Sequence, residues 1–269
     1  MTTAGEKYAR LLSLLREMRS VAVAFSAGVD STFLLAAAQE ALGERAVAVT
    51  VQSVFVPPQE IAQARAFCAE RGVRQIVLDA DVLAIDGVRD NPPDRCYLCK
   101  RALFTMIRET ARENGLQCVA DGSNADDTKD YRPGMRALRE LGVRSPLLEA
   151  GLTKADIRTL SREMGLPTWD KPAMACLATR FPCGETITPE KLSAVAQAES
   201  LLHGMGYRQL RVRVHGDLAR IEIEDARERG QFAAKHGETV EQSLRALGFR
   251  YVALDLGGYR TGNMNAAKS

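Results

Sequence analysis

The sequence has no long apolar run. Within its 269 residues, no segment approaches the ~18 consecutive apolar residues of a membrane span. Residues 1–7 are polar and lack the apolar segment of a signal peptide. Hydrophobic residues make up 46% and charged residues 26% of the chain, which is typical of a globular protein in water. The sequence therefore predicts a cytoplasmic protein with no membrane partner.

An excess of either charge is also missing. The formal net charge is +2, which is close to balance for a chain of this length. Binding to nucleic acid usually requires a strongly positive face, and the sequence has no basic run that would form one. Nucleic acid is therefore not an expected partner.

Histidine is scarce, and its positions suggest no metal site. His203, His215 and His236 lack the spacing of metal ligands. The six cysteines of a chain without a signal peptide are expected to act as thiols, metal or cluster ligands, or catalytic groups rather than as disulfides. Two of them, Cys68 on an apolar helical face and Cys118 within a predicted strand, are predicted core residues.

A Walker phosphate loop is absent, because no Gly-Lys-Ser or Gly-Lys-Thr ends a glycine-rich turn. A different loop, at 26–31, follows a strand-like run at 21–25 and precedes a predicted helix at 33–42. Gly28 allows an anion to approach the backbone. Ser26, Ser31 and the N–H groups that open the helix are donors where the helix dipole is positive. Phosphate is therefore the predicted ligand of this loop, and residues 26–31 are called the phosphate loop.

The loop Ser-Ala-Gly-Val-Asp-Ser resembles the Ser-Gly-Gly-x-Asp-Ser loop of PP-loop ATP pyrophosphatases, which adenylate a substrate and release pyrophosphate. Asp30 would help to place Mg²⁺ beside the ATP phosphates, since that cation prefers oxygen ligands. Ala27 stands where the family pattern has its second glycine, a change that is tolerated if φ of Ala27 is negative. The alternative is a simple turn in which Asp30 or Ser31 caps the helix.

Alternating strands and helices predict an α/β fold with a doubly wound parallel sheet. Strands are expected at 46–51, 75–78 and 117–120, with a helix at 58–71 between the first two of these. The carboxyl ends of parallel strands meet at one edge of a sheet. Thr50 and Ser53 are therefore candidates to hold the adenosine of ATP. Gly122, in the turn at 121–124, is expected beside the phosphate loop, and Asp126 and Asp127 could add oxygen ligands or simply fill a turn.

The pattern loses its periodicity between 169 and 184, and we place a domain boundary near residue 180. Residues 1–180 would form the ATP pyrophosphatase domain. Residues 181–269 would form a smaller α+β domain with helices at 189–203 and from 225, and strands at 210–214, 219–223 and 251–256. The smaller domain is expected to bind the substrate phosphate, to mediate oligomerisation, or both.

Three cysteines are candidates for sulfur or cluster chemistry. Cys96 and Cys99 form one C-x-x-C at a helix start, which is too few thiols for a structural zinc site. Cys176, in the aperiodic segment, supplies a third thiol, and three thiols suit an iron–sulfur cluster that has one iron open to another ligand. The alternatives are redox chemistry of the pair alone, or three unrelated cysteines. Cys183 could be a fourth ligand, a persulfide carrier or a bystander.

Five segments together resemble the LarE family, and the resemblance covers nearly the full length. They are the loop at 26–31, Arg-Cys-Tyr-Leu-Cys-Lys at 95–100, Asp-Gly-Ser-Asn at 121–124, Lys-Pro-Ala-Met-Ala-Cys-Leu-Ala-Thr-Arg at 171–180 and Gly-Tyr-Arg-Thr-Gly-Asn-Met-Asn at 258–265. The segment around Cys176 is the most specific. The resemblance implies a PP-loop ATP pyrophosphatase of HUP-like fold that assembles as a homo-oligomer through its smaller domain.

The resemblance also implies a reaction. ATP adenylates a carboxylate of pyridinium-3,5-biscarboxylic acid mononucleotide, sulfur displaces AMP, and the thiocarboxylate serves the biosynthesis of a nickel-pincer nucleotide cofactor. In one branch of the family the sulfur comes from the cysteine matching Cys176. In the other, cysteines matching Cys96, Cys99 and Cys176 hold a [4Fe–4S] cluster with an extra sulfide. Because this chain has all three, we predict the cluster version, reloaded by a sulfur donor that the sequence does not identify.

Basic side chains are the candidates to meet the negative charge of the adenylated substrate. Lys100 and Arg180 are predicted, with Asp30 and Cys176, to be catalytic. Arg211 and Arg213 alternate along a predicted strand, so both guanidinium groups point to one face and could bind the substrate phosphate. The alternative for these two arginines is a solvated strand face.

Three other functions remain open at this point. A tRNA thiolase can share the loop and a three-cysteine cluster, but the near-neutral charge argues against it. An amidotransferase like GMP synthetase or NAD synthetase would leave the cysteines without a role. A binding module that is not an enzyme would leave the chemistry of the loop unused.

Overall fold

The computed structural model describes residues 2–129, 133–172 and 175–260. Residues 173–174 and 261–265, which belong to two of the motifs above, lie outside this set. The chain divides into two compact units. Unit 1 comprises Met1–Ile85 and Asp94–Met174, and unit 2 comprises Asp86–Pro93 and Ala175–Ser269.

Unit 1 is built on a parallel sheet of four strands in the order β3-β2-β1-β4. In register, Val21 of β1 lies opposite Ala46 of β2 and Cys118 of β4. The elements in chain order are α1 Ala4–Glu17, β1 Val21–Ala24, α2 Val29–Leu42, β2 Ala46–Gln52, α3 Pro58–Arg71, β3 Gln75–Asp79, α4 Arg95–Glu113, β4 Cys118–Ala120, α5 Pro133–Glu140, α6 Pro146–Glu149 and α7 Lys154–Glu163, with short 3-10 turns at Gly43–Arg45 and Ala125–Lys129.

Helices cover both faces of this sheet. Val21 and Val23 pack on one face with residues of α1, α2 and α3, whereas Ala22 packs on the other face with residues of α4 and α5. Successive residues of a strand point to opposite faces, so this division follows from the period of two. A strand covered on both faces must be apolar throughout, as β1 is. The predicted doubly wound α/β fold is confirmed.

Helix ends in unit 1 follow local sequence signals. Thr153 caps α7, and its hydroxyl accepts the backbone N–H of Asp156 while the Asp156 carboxylate accepts the N–H of Thr153. Thr153 and Asp156 therefore form a capping box. The short helices α5 and α6 were not predicted, because segments this short give too few repeats for periodicity to be recognised.

Unit 2 is a small α+β fold, as predicted. Its elements are a 3-10 turn at Leu177–Arg180, α8 Pro189–Gly204, β5 Leu210–His215, β6 Leu218–Ile223, α9 Ala226–Ala246 and β7 Tyr251–Leu254. β5 pairs antiparallel with β6, and β6 pairs parallel with β7. Apolar residues of α8 and α9, among them Val195 and Leu244, are fully buried.

The two compact units and the predicted domains share most of their residues. The predicted boundary lies near residue 180, whereas unit 2 begins at Ala175 and also includes Asp86–Pro93. Cys176 and Arg180 thus belong with the smaller unit. Within the residues described, no helix has the length and apolar character needed to cross a membrane.

Candidate active site

In the sheet of unit 1, the order in which successive strands are added reverses between β1 and β4. From β1 the chain moves outward through β2 to β3 and then returns to place β4 on the other side of β1. Ligands of open α/β sheets bind in the crevice at such a switch point. The loop at 26–31 follows β1 there, and the turn at 121–124 follows β4.

The loop leaves the start of α2 open to a ligand. Gly28 is the N-cap residue, and among the described residues no side chain caps the helix. The alternative in which Asp30 or Ser31 caps α2 is therefore wrong. The first N–H groups of a helix have no partner within the helix and carry its positive dipole end. Ser26 Oγ lies 3.1 Å from Ser31 Oγ at the same end of α2. These groups form the donor set expected of a phosphate loop.

Ala27 corrects one expectation. Its φ is 54°, a left-handed value, and not the negative value that would make alanine an easy replacement for glycine. A residue with a Cβ costs about 1–2 kcal/mol in this conformation. The Ala27 side chain is 2% exposed and belongs to the main core cluster, so its packing offsets part of the cost.

Gly122 brings the turn after β4 directly against the phosphate loop. A Cβ placed on Gly122 would lie 3.1 Å from Ser31 N and 3.3 Å from Asp30 Cβ, which is closer than ordinary contact. The absence of a side chain at Gly122 lets the turn lie this close to the first turn of α2 without displacing it. Asn124, from the same turn, donates its side-chain N–H to Asp30 Oδ1 at 3.3 Å.

We expect Gly122→Ala to destabilise unit 1 by about 1–3 kcal/mol, because backbone atoms of α2 must move to admit the methyl group. ATP affinity should fall as well, since the displaced atoms belong to the phosphate loop. Denaturant unfolding and calorimetry with Mg-ATP measure the two effects. Gly230→Ala is the control, because no heavy atom lies within 4 Å of its added Cβ in α9. It should stabilise the protein by up to ~1 kcal/mol, and an equal loss in both variants would contradict the prediction.

Asp30 is held by two groups that point at its carboxylate. Lys154 Nζ forms a part-buried ion pair with Asp30 Oδ2, and Asn124 binds the other oxygen. The backbone N–H of Lys154 in turn donates to Asp126 Oδ2 at 2.8 Å, and Asp127 Oδ2 accepts the N–H of Asn124 at 2.9 Å. Asp126 and Asp127 thus hold the turn, and contact of Asp30 with Mg²⁺ stays a prediction.

Thr50 and Ser53 lie at the carboxyl end of β2 in different environments. Thr50 is 1% exposed, and its hydroxyl donates to Phe25 O at 2.9 Å and accepts the side-chain N–H of Gln75 at 2.8 Å. Thr50 therefore fixes the start of the phosphate loop from inside the sheet. Ser53 is half-buried, and its Oγ accepts the N–H of Phe55. Contact of either residue with adenosine stays a prediction.

Cys96 and Cys99 lie in the first two turns of α4, three residues apart, so both are on one side of the helix. Cys96 is half-buried and Cys99 is buried. Lys100 follows them, with its Nζ 5.9 Å from the ring centre of Phe104. Gly134, at the start of α5, packs here, since a Cβ on it would lie 3.2 Å from Cys96 Sγ and 2.6 Å from Lys100 Cδ. The predicted catalytic role of Lys100 is not tested by these contacts.

Arg180 is fully buried and holds the segment that carries Cys176. Its Nη1 donates to the carbonyl oxygens of Ala175 at 2.8 Å and Cys176 at 3.2 Å. Its Nε and Nη2 bind the two oxygens of Glu199 at 2.9 and 2.8 Å. These contacts give Arg180 a positioning role, and its direct contact with substrate stays a prediction.

Arg211 and Arg213 are buried, at 1% and 5% exposure, so the alternative of a solvated strand face is wrong. Arg213 Nε binds Glu222 Oε2 at 2.9 Å, and Arg213 Nη1 donates to Thr179 O at 2.9 Å. Arg211 lies 4.8 Å from the ring centre of Tyr259. Burial lowers the pKa of the Arg211 guanidinium, and the like charge of Arg180 lowers it further. Binding of the substrate phosphate by this pair stays a prediction.

We expect Glu199→Gln to lower the free energy of unfolding by about 3–5 kcal/mol, because it removes the partner of a buried charge. Arg180 is 0% exposed and cannot recover its hydration without unfolding. Glu241→Gln is the control, since Glu241 pairs with Arg245 on the surface of α9, where a pair contributes about 0.3–0.5 kcal/mol. Urea unfolding compares the variants, and a difference under ~1 kcal/mol between them would contradict the prediction.

The predicted cluster ligands are divided between the two units, with Cys96 and Cys99 in unit 1 and Cys176 in unit 2. Across residues 2–129, 133–172 and 175–260, no group of three or more His, Cys, Asp or Glu side chains is placed to hold a metal ion. The ligand set Cys96, Cys99 and Cys176 therefore remains a prediction from the sequence. Cys68 is 2% exposed, and burial raises the pKa of its thiol to about 11, which suits an inert core residue. Cys183 is exposed.

Two residues, Lys154 and Glu199, were not predicted, although the sequence carries a signal for each. Lys154 occupies the first position of α7, where the helix dipole disfavours a cation, and such a lysine indicates a nearby carboxylate. Glu199 lies three residues before Leu202 and four after Val195, on the apolar stripe of α8. A carboxylate on such a stripe indicates a buried counter-charge.

Comparison with known proteins finds relatives that match this chain over nearly its full length. A protein of Lactiplantibacillus plantarum named pyridinium-3,5-bisthiocarboxylic acid mononucleotide synthase is 40% identical over 266 residues, covering 98% of this chain and 96% of that protein. This chain belongs to the LarE family. An uncharacterised protein of Synechocystis sp. is 41% identical over 261 residues, covering 96% of this chain and 97% of that protein. No family model matches the chain.

More distant relatives of this LarE-family chain share only part of it. One subunit of the glutamine-hydrolysing GMP synthase of Pyrococcus furiosus is 28% identical over 199 residues, covering 67% of this chain and 61% of that protein. The family confirms the prediction that the chain is an enzyme, and the interpretation as a binding module without activity is set aside.

Proposed function

We propose that this protein inserts sulfur into pyridinium-3,5-biscarboxylic acid mononucleotide in an ATP-dependent reaction that releases pyrophosphate. The observation that carries the proposal is the open phosphate loop with Asp30 at the switch point of a parallel sheet, in a chain 40% identical to a mononucleotide synthase. Use of ATP is supported by the partial similarity to GMP synthase. The product would serve a nickel-pincer nucleotide cofactor.

The nucleotide half of the reaction belongs to unit 1. A carboxylate oxygen of the substrate attacks the α-phosphorus of ATP, the bond to the bridging oxygen breaks, and pyrophosphate leaves. Negative charge then develops on the leaving phosphates, where the N–H groups of α2 and the Ser26 and Ser31 hydroxyls can stabilise it. The Asp30 carboxylate, oriented by Lys154 and Asn124, would hold the Mg²⁺ that neutralises the same phosphates.

The sulfur half of the reaction would use the cysteines. A sulfide or the Cys176 thiolate attacks the carbonyl carbon of the acyl adenylate, the bond from that carbon to the phosphate oxygen breaks, and AMP leaves with its electron pair. Where Cys176 is the donor, loss of its Cα proton and cleavage of its Cβ–Sγ bond would then release the thiocarboxylate and leave dehydroalanine at position 176. Arg180 binds the carbonyl oxygens of the two peptides that flank the Cα of Cys176, so the sulfur of Cys176 projects from a restrained segment. Lys100, Arg211 and Arg213 are the cations that we propose for the negative charges of the substrate.

The source of the sulfur divides the proposal into two versions. We favour the one in which Cys96, Cys99 and Cys176 would hold a [4Fe–4S] cluster, because cysteine thiolates hold such clusters and three of them would leave one iron open to an extra sulfide. When bound, this cluster supplies a sulfide that can be renewed, whereas a sacrificed Cys176 supplies one sulfur per chain. A homo-oligomer assembled through unit 2 is part of the same proposal.

The test is a reaction with the purified protein, Mg-ATP and the biscarboxylate mononucleotide. Pyrophosphate, AMP and a sulfur-containing product should appear together, with product identified by mass spectrometry. Anaerobic purification with iron and sulfide determination separates the versions, since under one iron per chain with sulfur lost from Cys176 indicates the sacrificial route. Formation of pyrophosphate only with tRNA, together with salt-sensitive tRNA binding, would contradict the proposal and favour a tRNA thiolase.

A further inference from the structure

The side chain of Lys171 packs against the phosphate loop. Its Nζ lies 2.7 Å from Glu60 Oε2, 2.6 Å from Gln63 Oε1 and 3.0 Å from the carbonyl oxygen of Ala27. The side chains of Lys171 and Glu60 are 14% and 9% exposed, so this ion pair is largely out of water. An ammonium group has three N–H donors, and these three acceptors use all of them.

The contact with Ala27 sets the direction of the next N–H group. The structure has no cis peptide bond among the described residues, and in a trans peptide the C=O and the following N–H point in opposite directions. Because Lys171 binds the carbonyl of Ala27, the N–H of Gly28 points away from Lys171. Ala27, whose carbonyl oxygen the ammonium group binds, has a left-handed φ of 54°, so this contact also stabilises a residue in an unfavourable backbone conformation.

Hydrogen bonds of its backbone also fix the position of Lys171. Its N–H donates to Thr168 O at 3.0 Å, and its carbonyl oxygen accepts Arg158 Nη2 at 2.9 Å. Arg158 Nη1 donates to Trp169 O at 2.7 Å, which ties the same turn to α7. Glu60 and Gln63 therefore hold the ammonium group of Lys171, and Arg158 of α7 holds the backbone of the same residue.

We propose that Lys171 is a positioning residue for nucleotide binding, an inference that rests on the proposed function. It keeps the Ala27–Gly28 peptide in the orientation that presents the Gly28 N–H to the β- and γ-phosphates of ATP before the nucleotide arrives. Glu60 and Gln63 hold the ammonium group for this purpose. Lys171 acts through the loop and does not touch the reacting atoms.

The test compares nucleotide affinities of Lys171→Met, Lys171→Arg and the wild type by calorimetry. The probes are α,β-methylene ATP, which cannot be cleaved to pyrophosphate, and AMP, which lacks the phosphates that the loop would bind. We expect Lys171→Met to bind α,β-methylene ATP about tenfold more weakly, the loss that one charge-assisted hydrogen bond gives, with little change for AMP. Lys171→Arg should recover part of the affinity.

Lys191→Met is the matched control, because Lys191 forms an ion pair with Glu185 in unit 2. It should leave both affinities unchanged. Should Lys171→Met fail to fold, Glu60→Gln gives the same test, since it keeps an acceptor for Lys171 and removes the charge. Unchanged affinity for α,β-methylene ATP, or an equal loss for both nucleotides, would overturn the positioning role. A wild-type protein that does not bind α,β-methylene ATP would instead refute the proposed function, and this inference with it.

Discussion

Asp30→Asn is expected to slow pyrophosphate release by about 10²- to 10³-fold, the range found when one electrostatic group of an active site is removed. The variant keeps the size of the side chain and an oxygen for Lys154, but it removes the charge that would bind Mg²⁺. Asp30 lies in the first turn of α2, beside the Gly122 backbone. Single-turnover pyrophosphate assays with ATP and the biscarboxylate mononucleotide measure the effect.

The control for Asp30→Asn is Glu40→Gln. Glu40 lies near the other end of the same helix and accepts the hydroxyl of Tyr8 at 2.6 Å, so the two variants make the same charge change on α2. Glu40→Gln should release pyrophosphate at the wild-type rate. If Asp30→Asn did so too, the role of Asp30 would be misassigned, and Asp30 would serve only to hold Lys154 and Asn124 in place.

Cys96→Ala is expected to abolish multiple turnovers and the binding of iron. Three cysteines leave a [4Fe–4S] cluster with one open iron, and removal of a ligand leaves two thiols, too few to retain the cluster. Adenylation should persist, because Cys96 lies on α4, whereas the phosphate loop leads into a different helix, α2. Iron content after anaerobic reconstitution and the amount of product per chain are the two measurements.

The sacrificial route gives a different result for the same variant. Cys96→Ala would then make up to one product per chain, with loss of sulfur from Cys176. Cys118→Ala is the control, because Cys118 is half-buried in β4 and has no proposed role. Retained multiple turnover in Cys96→Ala would remove Cys96 from the ligand set.

Local sequence patterns were sufficient to place the loop at 26–31 and the turn at 121–124 in the fold. The loop at 26–31 was predicted between a strand and a helix; it follows β1, but α2 starts earlier than predicted, so that residues 29–31 form its first turn. Gly122 was predicted on the same edge of the sheet, and it contacts the loop. The meeting of Gly122 with the loop follows from the parallel sheet, because that arrangement places the carboxyl ends of all its strands together.

Charges that lie far apart in the sequence could not be paired in the same way. Lys154 binds Asp30 across 124 positions and Lys171 binds Glu60 across 111. The burial of Arg211 and Arg213 was also missed, since an alternating strand gives no sign of which face is covered.

The sequence by itself determined the fold class, the place of the loop at 26–31 after the first strand, and the family, because each depends on residues that are close in the chain or on the period of a strand or helix. Only the tertiary structure decided that Ala27 is left-handed, that Arg180 and Glu199 are a buried pair, and that Lys171 binds the loop. Such features depend on which distant segments meet, since burial and a specific partner together determine what a charged or strained residue can do.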